Sequence, residues 1–369
     1  MTSEDRARTY HRWQLVLSLA GFLLSAAYLA ALLWSGVATA LARAVSGVTS
    51  HWWLALALDL ILLAGVYRVV TLPLSWLAGF WLPRRFGLLH QSLTAWCLDQ
   101  AKTAAVAAAL GLAGAEIVYG LLGATTWWWL WGALVFLAGF TVLAMVVPVW
   151  LVPLFYRLSP LDNGDLKRRL LTLAERAGVP VMGVWVADQS RKSRTANAAV
   201  TGLGHTRRIL VFDTLVAEFT PDEVEAVLAH ELAHHVHGDM RRALVFQGAL
   251  TLAAFWIADR WLRAGAGALG LAGPADLAGV PLFGLILMAL TVIALPVANS
   301  WSRRIERQAD DFALGVAGNP TAFITALERL GALNLAERDP HVLKEFFLYS
   351  HPSIGRRVAR ARARLGLTT

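Results

Sequence analysis

Six apolar segments, each long enough to cross a bilayer, punctuate this 369-residue chain: Trp13–Trp34, Trp53–Trp81, Thr103–Leu122, Trp127–Phe155, Ala243–Leu262 and Val280–Val297. A helix needs about 20 predominantly apolar residues to span the hydrocarbon layer, and within it every backbone N–H and C=O must be paired inside the segment. The chain is therefore expected to be an α-helical integral membrane protein with about six spanning helices. The composition agrees, at 57% hydrophobic and 16% charged residues, against about 25% charged in a typical soluble domain. The second and fourth segments contain Pro73 and, respectively, Pro148 and Pro153, which predict kinks or extensions beyond the bilayer. Trp127, Trp128, Trp129 and Trp131 read as an interfacial aromatic belt. The first segment is longer than the core of a signal peptide, and Glu4 and Asp5 dilute its basic flank, so it reads as a retained helix.

Lysine and arginine set the expected orientation. Arg6, Arg8 and Arg12 precede the first segment, and Arg84, Arg85 and Lys102 lie between the second and third. Twelve basic residues follow the fourth segment and eleven follow the sixth, whereas the opposite loops hold only Arg43 and Arg263, with Arg260 at a helix end. Both termini and the polar regions should face the cytoplasm, in a cell inner (plasma) membrane. The net charge of +8 follows from these flanking clusters and needs no nucleic acid, for which the chain carries no motif. The single cysteine, Cys97, excludes an intramolecular disulfide and any cysteine-built metal site.

The chain then divides into helices 1–4 (1–155), a polar region (156–242), a hydrophobic hairpin (243–299) and a second polar, helical region (300–369). The first polar region opens with a helical pattern, Asn163–Ala177, and continues with strand-like runs at Val181–Ala187 and Arg208–Phe212. Its end carries His230-Glu231-Leu232-Ala233-His234. Positions four apart lie on one helix face, so the two imidazoles can hold one Zn²⁺ while Glu231 acts on its water. Thr220-Pro221-Asp222-Glu223 has the signature of a helix start, with Thr220 as cap, Pro221 in the first turn and Glu223 closing a capping box; Gly238 offers the stop.

Catalytic zinc usually has three protein ligands. His237 is one candidate, although three ligands on one straight helix converge poorly. Glu306 is the better one: two membrane crossings return the chain to the same face, and Glu306 can meet His230 and His234 from a second helix. Asp310, four residues on, then faces the same site and would orient a ligand histidine. An ordinary charged helix face amid arginines is the competing reading of both acids. His235 reads as a surface histidine. The tail Gly355–Leu367 is basic and amphipathic, a pattern that suits anionic lipid or a solvated helix face. Asp59, Arg68 and Glu116 fall in or near spanning segments, where ionised groups need a partner or water; a helix-end position is favoured for Arg68.

These residues resemble the type-1 CaaX prenyl endopeptidases, integral-membrane zinc metallopeptidases related to the HtpX heat-shock proteases. The resemblance rests on the H-E-x-x-H run, Glu306-x-x-x-Asp310, Asn197-Ala198, Arg208–Leu215, Ala309–Ala313 and His351-Pro352-Ser353, in the expected order from about Trp53 to Arg364. It implies membrane helices around a hollow chamber, with a zincin-like α+β catalytic domain. It further implies one zinc per chain on His230, His234 and Glu306, and Glu231 as general base and acid. His351 would stabilise the oxyanion, Arg357 would support the site, and Asn197 and Ala198 would lie near a bound peptide strand. The eukaryotic members have seven spanning helices where six are counted here, the difference falling between the first two. The expected activity is endoproteolysis of a peptide or protein substrate, lipidated or membrane-associated, with membrane lipid as the other partner. HtpX-like quality control of membrane proteins is the alternative within that class, and a non-catalytic zinc-containing binding or transport protein the alternative outside it. An extended substrate is expected to add alongside Arg208–Phe212 through main-chain hydrogen bonds.

Overall fold

A computed structural model describes residues 3–202 and 204–367. The first polypeptide run is α1 (Ser3–Trp34), α2 (Val37–Val48) and α3 (Trp52–Trp76). A π-helical turn, Leu77–Trp81, leads from α3 into α4 (Leu82–Arg85); α5 (Leu93–Ala124) and α6 (Trp128–Val146) follow, and a second π turn, Val147–Leu151, leads into α7 (Val152–Phe155). The first π turn follows Pro73 and the second contains Pro148, prolines whose missing N–H breaks the regular ladder. Helix α2 occupies the place between the first two predicted segments. Its 12 residues rise only about 18 Å, too short to cross.

Among the described residues five helices are long and apolar enough to span a membrane: Glu4–Trp34, Trp52–Arg85, Leu93–Ala124, Trp128–Val146 and Leu277–Val316. The remaining predicted segment lies in α11 (Asp239–Ala268), which packs against α6 and against α12 (Val280–Val316). Its buried Asp259 is neutralised internally, accepting from Arg263 Nε at 2.8 Å and Trp128 Nε1 at 2.6 Å. That contact corrects the reading of Trp128. Trp127 and Trp131 are exposed as a belt requires, but Trp128 is fully buried because its face of α6 meets α11.

Arg68 is also placed differently from expectation. It lies inside α3, not at an end, and donates to Gln100 Oε1 on α5 at 3.2 Å. It lines a cavity of about 660 Å³ between these helices; a second, of about 570 Å³, opens among α1, α3 and α12. Asp59 faces neither solvent nor an ion partner: it is 1% exposed, and neither carboxylate oxygen has a hydrogen-bond partner among the described residues. Glu116 Oε2 is likewise buried without one.

The polar lobe contains β1 (Leu158–Pro160), α8 (Gly164–Arg176), β2 (Val184–Ala187), β3 (Ala198–Thr201), β4 (Arg208–Phe212), α9 (Asp213–Glu218) and α10 (Pro221–Val236). After α11 and α12 come α13 (Pro320–Leu333), α14 (Val342–Leu348) and α15 (Ile354–Arg364). The sheet order is β1-β2-β4-β3, with β2 and β4 parallel and the outer pairs antiparallel. Strand β4 is paired on both sides, so a peptide cannot add to Arg208–Phe212 as the sequence suggests; the edge beside α10 is β3. One apolar core joins α8, the sheet, α10, the end of α12, α13 and α15. The two polar regions, separated by the hairpin in sequence, are thus one body.

Helix α10 runs through that core. Thr220 Oγ1 accepts from Glu223 N at 3.3 Å while Glu223 Oε2 accepts from Thr220 N at 2.9 Å, the expected capping box. Gly238, at φ +66°, ends the run in the left-handed region and redirects the chain into α11. Replacing Thr220 by Ala should destabilise the lobe by about 1 kcal/mol, read as a lower thermal midpoint in detergent; an unchanged midpoint would mean that the box carries no stability.

Candidate metal centre and active site

The site forms where α10 and α12 meet. Four-residue spacing puts His230 and His234 on one face of α10, their ring centroids 5.1 Å apart. From α12, Glu306 reaches both: Oε2 is 3.1 Å from His230 Nε2 and Oε1 is 3.8 Å from His234 Nε2. One ligand atom from each residue lies within 4.8 Å of the other two. Tetrahedral zinc with bonds near 2.1 Å separates its ligand atoms by about 3.4 Å, so a small shift closes the set around an ion. The donors are two imidazole nitrogens and one carboxylate, the set that suits a catalytic divalent site. Buried Glu306 Oε2 has no hydrogen-bond partner despite the nearby imidazole, as expected of a ligand atom directed at a shared cation.

The other nitrogen of each imidazole is held by an aspartate, and each aspartate by an arginine. His230 Nδ1 is 2.9 Å from Asp310 Oδ1. Arg357 grips Asp310 with both prongs of its fork, Nη2 to Oδ1 at 2.6 Å and Nε to Oδ2 at 2.9 Å. His234 Nδ1 is 2.9 Å from Asp239 Oδ2. Arg242 Nη1 donates to Asp239 Oδ1 at 2.7 Å and to Gln308 Oε1 at 2.9 Å. These pairs leave both Nε2 atoms turned toward Glu306 and fix the tautomer that can bind a metal. The sequence reading placed Asp310 and Arg357 here but gave Asp239 no role. Its signal was Gly238: the left-handed glycine turns the chain so that the next residue packs back on His234.

Desolvation opposes charge on His230, but the neighbouring carboxylates of Asp310 and Glu306 outweigh it and raise its pKa to about 9. Burial pushes Glu231 above the usual carboxylate range, against the opposing pull of the two histidines.

His351 comes to the same place from the segment between α14 and α15. Its Nε2 lies 3.3 Å from Glu306 Oε2, and its Nδ1 is 3.0 Å from Ser350 Oγ. Desolvation leads the effects that hold its pKa below the ordinary histidine value. Asn197 and Ala198 stand at the start of edge strand β3, Asn197 exposed and its Oδ1 accepting from Ala198 N at 2.9 Å. His237 stands apart from the trio, against Phe312. His235 is not a surface residue: its Nε2 donates to Val200 O at 3.0 Å and ties α10 to β3. The basic face of α15 is paired internally, Arg360 and Arg364 with Asp311 and Arg362 with Glu328, which favours a structural face over a lipid-binding one.

Known proteins share this arrangement. Residues 160–365 match the model of Peptidase family M48, and residues 2–157 match that of the CAAX prenyl protease N-terminal region, five membrane helices. The Bacillus subtilis uncharacterized metalloprotease YhfN is 28% identical over 335 residues, covering 89% of this chain and 78% of its own length. CAAX prenyl protease 1 of Saccharomyces cerevisiae is 31% identical over 320 residues, covering 80% and 70%. The crystal structure of S. mikatae Ste24p superposes with a TM-score of 0.87 at 24% identity, over 97% of this chain and 89% of that one.

Removing one histidine support should weaken the metal centre without dismantling it. Asp239→Ala is expected to lower metal affinity about 10- to 100-fold, measured by competition with a chromogenic chelator; wild-type affinity would show that Asp239 does not act on the site.

Proposed function

The chain belongs to peptidase family M48, in its CAAX prenyl protease group of multi-pass membrane metalloproteases, and we propose that it is a zinc endopeptidase cleaving peptides at the cytoplasmic membrane face. One observation carries the reading: two helices bring His230, His234 and Glu306 to a common point, with Glu231 between the histidines in sequence. In functional terms the chain divides into membrane helices (1–155), the region of the H-E-x-x-H helix (156–242), the hairpin (243–299) and the segment supplying Glu306 and His351 (300–369). The basic flanks described above support cytoplasmic termini in an inner (plasma) membrane.

Zinc held by His230, His234 and Glu306 would polarise the scissile carbonyl and acidify water. Glu231 takes the proton from the attacking water and hands it to the leaving amine. His351 donates to the oxyanion, a contact worth about 3 kcal/mol in the transition state. Asp310 with Arg357, and Asp239 with Arg242, keep both imidazoles aligned throughout. A substrate strand adds to β3 at Asn197-Ala198. Strand alternation turns the main-chain groups of Ala198 and Val200 outward, since Asn197 O accepts from Phe212 N of β4. His235 occupies the Val200 carbonyl and Asn197 the Ala198 N–H, which leaves the Ala198 carbonyl and Val200 N–H for a peptide. Recognition is therefore mostly of backbone, suited to substrates that vary in side chain. The names of the eukaryotic relatives point to lipidated peptides as the first class to test.

Glu231→Gln should lower peptide hydrolysis at least about 100-fold with zinc content unchanged, and a chelator should abolish wild-type cleavage until zinc is restored. Equal cleavage by the variant would remove Glu231 from the chemistry. Glu306→Ala should lose zinc on dialysis; a full equivalent retained would require another third ligand.

A further inference from the structure

Helix α12 does more than deliver Glu306. Asn299, Arg303, Glu306 and Asp310 succeed one another at spacings of three and four residues, so they share one face. The last two serve the metal centre, and the first two hold α14. Arg303 is only 8% exposed, yet its guanidinium is directed at main-chain carbonyls and not at a carboxylate. Nη1 reaches Glu345 O at 2.9 Å, Phe346 O at 3.4 Å and Tyr349 O at 2.5 Å, and Nη2 donates to Ser300 Oγ at 2.9 Å. Asn299 Nδ2 adds a bond to Phe347 O at 2.7 Å. The final carbonyls of a helix have no partner within it and carry partial negative charge. Arg303 therefore caps the C-terminus of α14 from another helix.

Two residues beyond that cap lies His351. Its ring is 56% exposed on the side chain, so packing does little to hold it, and its own contacts are those with Ser350 and Glu306 described above. What fixes the short segment is its ends. Arg303 binds Tyr349 on one side; on the other, Glu345 Oε1, itself on α14, accepts from Ser353 N at 3.3 Å. Arg303 and Glu306 are three residues apart on one rigid helix, so the clamp and the metal ligand share a frame.

We propose that Arg303 is a positioning residue for the reaction: by capping α14 it sets where the His351 imidazole stands relative to Glu306. The proposal rests on the reading of His351 as the oxyanion donor. A misplacement near 1 Å can cost about 100-fold in rate. Arg303→Met should therefore lower kcat by about 10- to 100-fold with little change in KM and with zinc content intact. Arg303→Lys, which keeps the charge but can serve fewer carbonyls, should fall between Met and wild type.

A double-mutant cycle with His351→Ala separates the possible outcomes. If Arg303 acts through His351, adding Arg303→Met or Arg303→Lys to His351→Ala should slow the enzyme no further. Losses that multiply would overturn the positioning role while leaving His351 as the donor. An unimpaired His351→Ala single variant would instead refute the donor reading, and this proposal with it. Should Arg303→Met not fold, the lysine variant runs the same cycle, and loss of zinc from a folded Arg303→Lys protein would also overturn the proposal.

Discussion

Everything around the site answers to one electrostatic demand. Three helices, α10, α11 and α12, bring Glu231, Asp239, Glu306 and Asp310 around a pair of imidazoles, and a buried anion left without a countercharge is strongly destabilising. Arg357 answers Asp310 and Arg242 answers Asp239; Glu306 is left to the histidines and the metal. Helix α15 must lie against α12 and α13 because it carries Arg357. Helix α11 must depart sharply at Gly238 because its first residue, Asp239, has to return to His234. The lobe is, in large part, a device for bringing countercharges to fixed points.

The second organising element is the continuity of α12. Its 37 residues extend about 55 Å, from an apolar stretch that suits the bilayer to a polar end that bears a metal ligand. Pro296 lies within it and removes one ladder hydrogen bond, so the segment beyond the proline, from Asn299 to Asp310, is the part that holds the α14 clamp and the metal ligand in one frame. Asn299 and Arg303 lie where the apolar stretch gives way to the polar one, and they fasten α14 there. That junction is where a substrate at the membrane surface would meet the catalytic groups.

How much of this could be read from the chain depended on the range of the interaction. The H-E-x-x-H helix, its capping box and strand Arg208–Phe212 were legible, because local periodicity and cap chemistry define them. Glu306 and Asp310 were legible for a topological reason: a hairpin returns the chain to the face it left. Strand β1 was not, since Leu158-Ser159-Pro160 is three residues long and ends on a proline. Strand β3 left only the weak run Ala198–Thr201, and its place at the edge depends on partners distant in sequence. Trp128, Arg68 and His235 were misjudged because their roles lie in which neighbour they face, and no sequence spacing encodes the neighbours of a non-adjacent helix. Asp239, five residues after His234, resembles the bacterial branch of the family, but no spacing rule ties it to His234, because it lies beyond the glycine that ends the helix.

The link between His235 and β3 carries the last step. In the proposed binding mode a substrate strand takes its height from β3, and β3 takes its height from α10 through the bond to Val200. The same helix presents His230 and His234. The distance between a bound peptide backbone and the metal is thus set within one element, independent of substrate side chains. In that mode selectivity arises before the peptide reaches the edge, in what the membrane helices and the apolar α14 segment admit. Phe346, Phe347 and Leu348 are exposed three to five residues ahead of His351, and in that mode they offer the apolar surface that an apolar group on the peptide would engage.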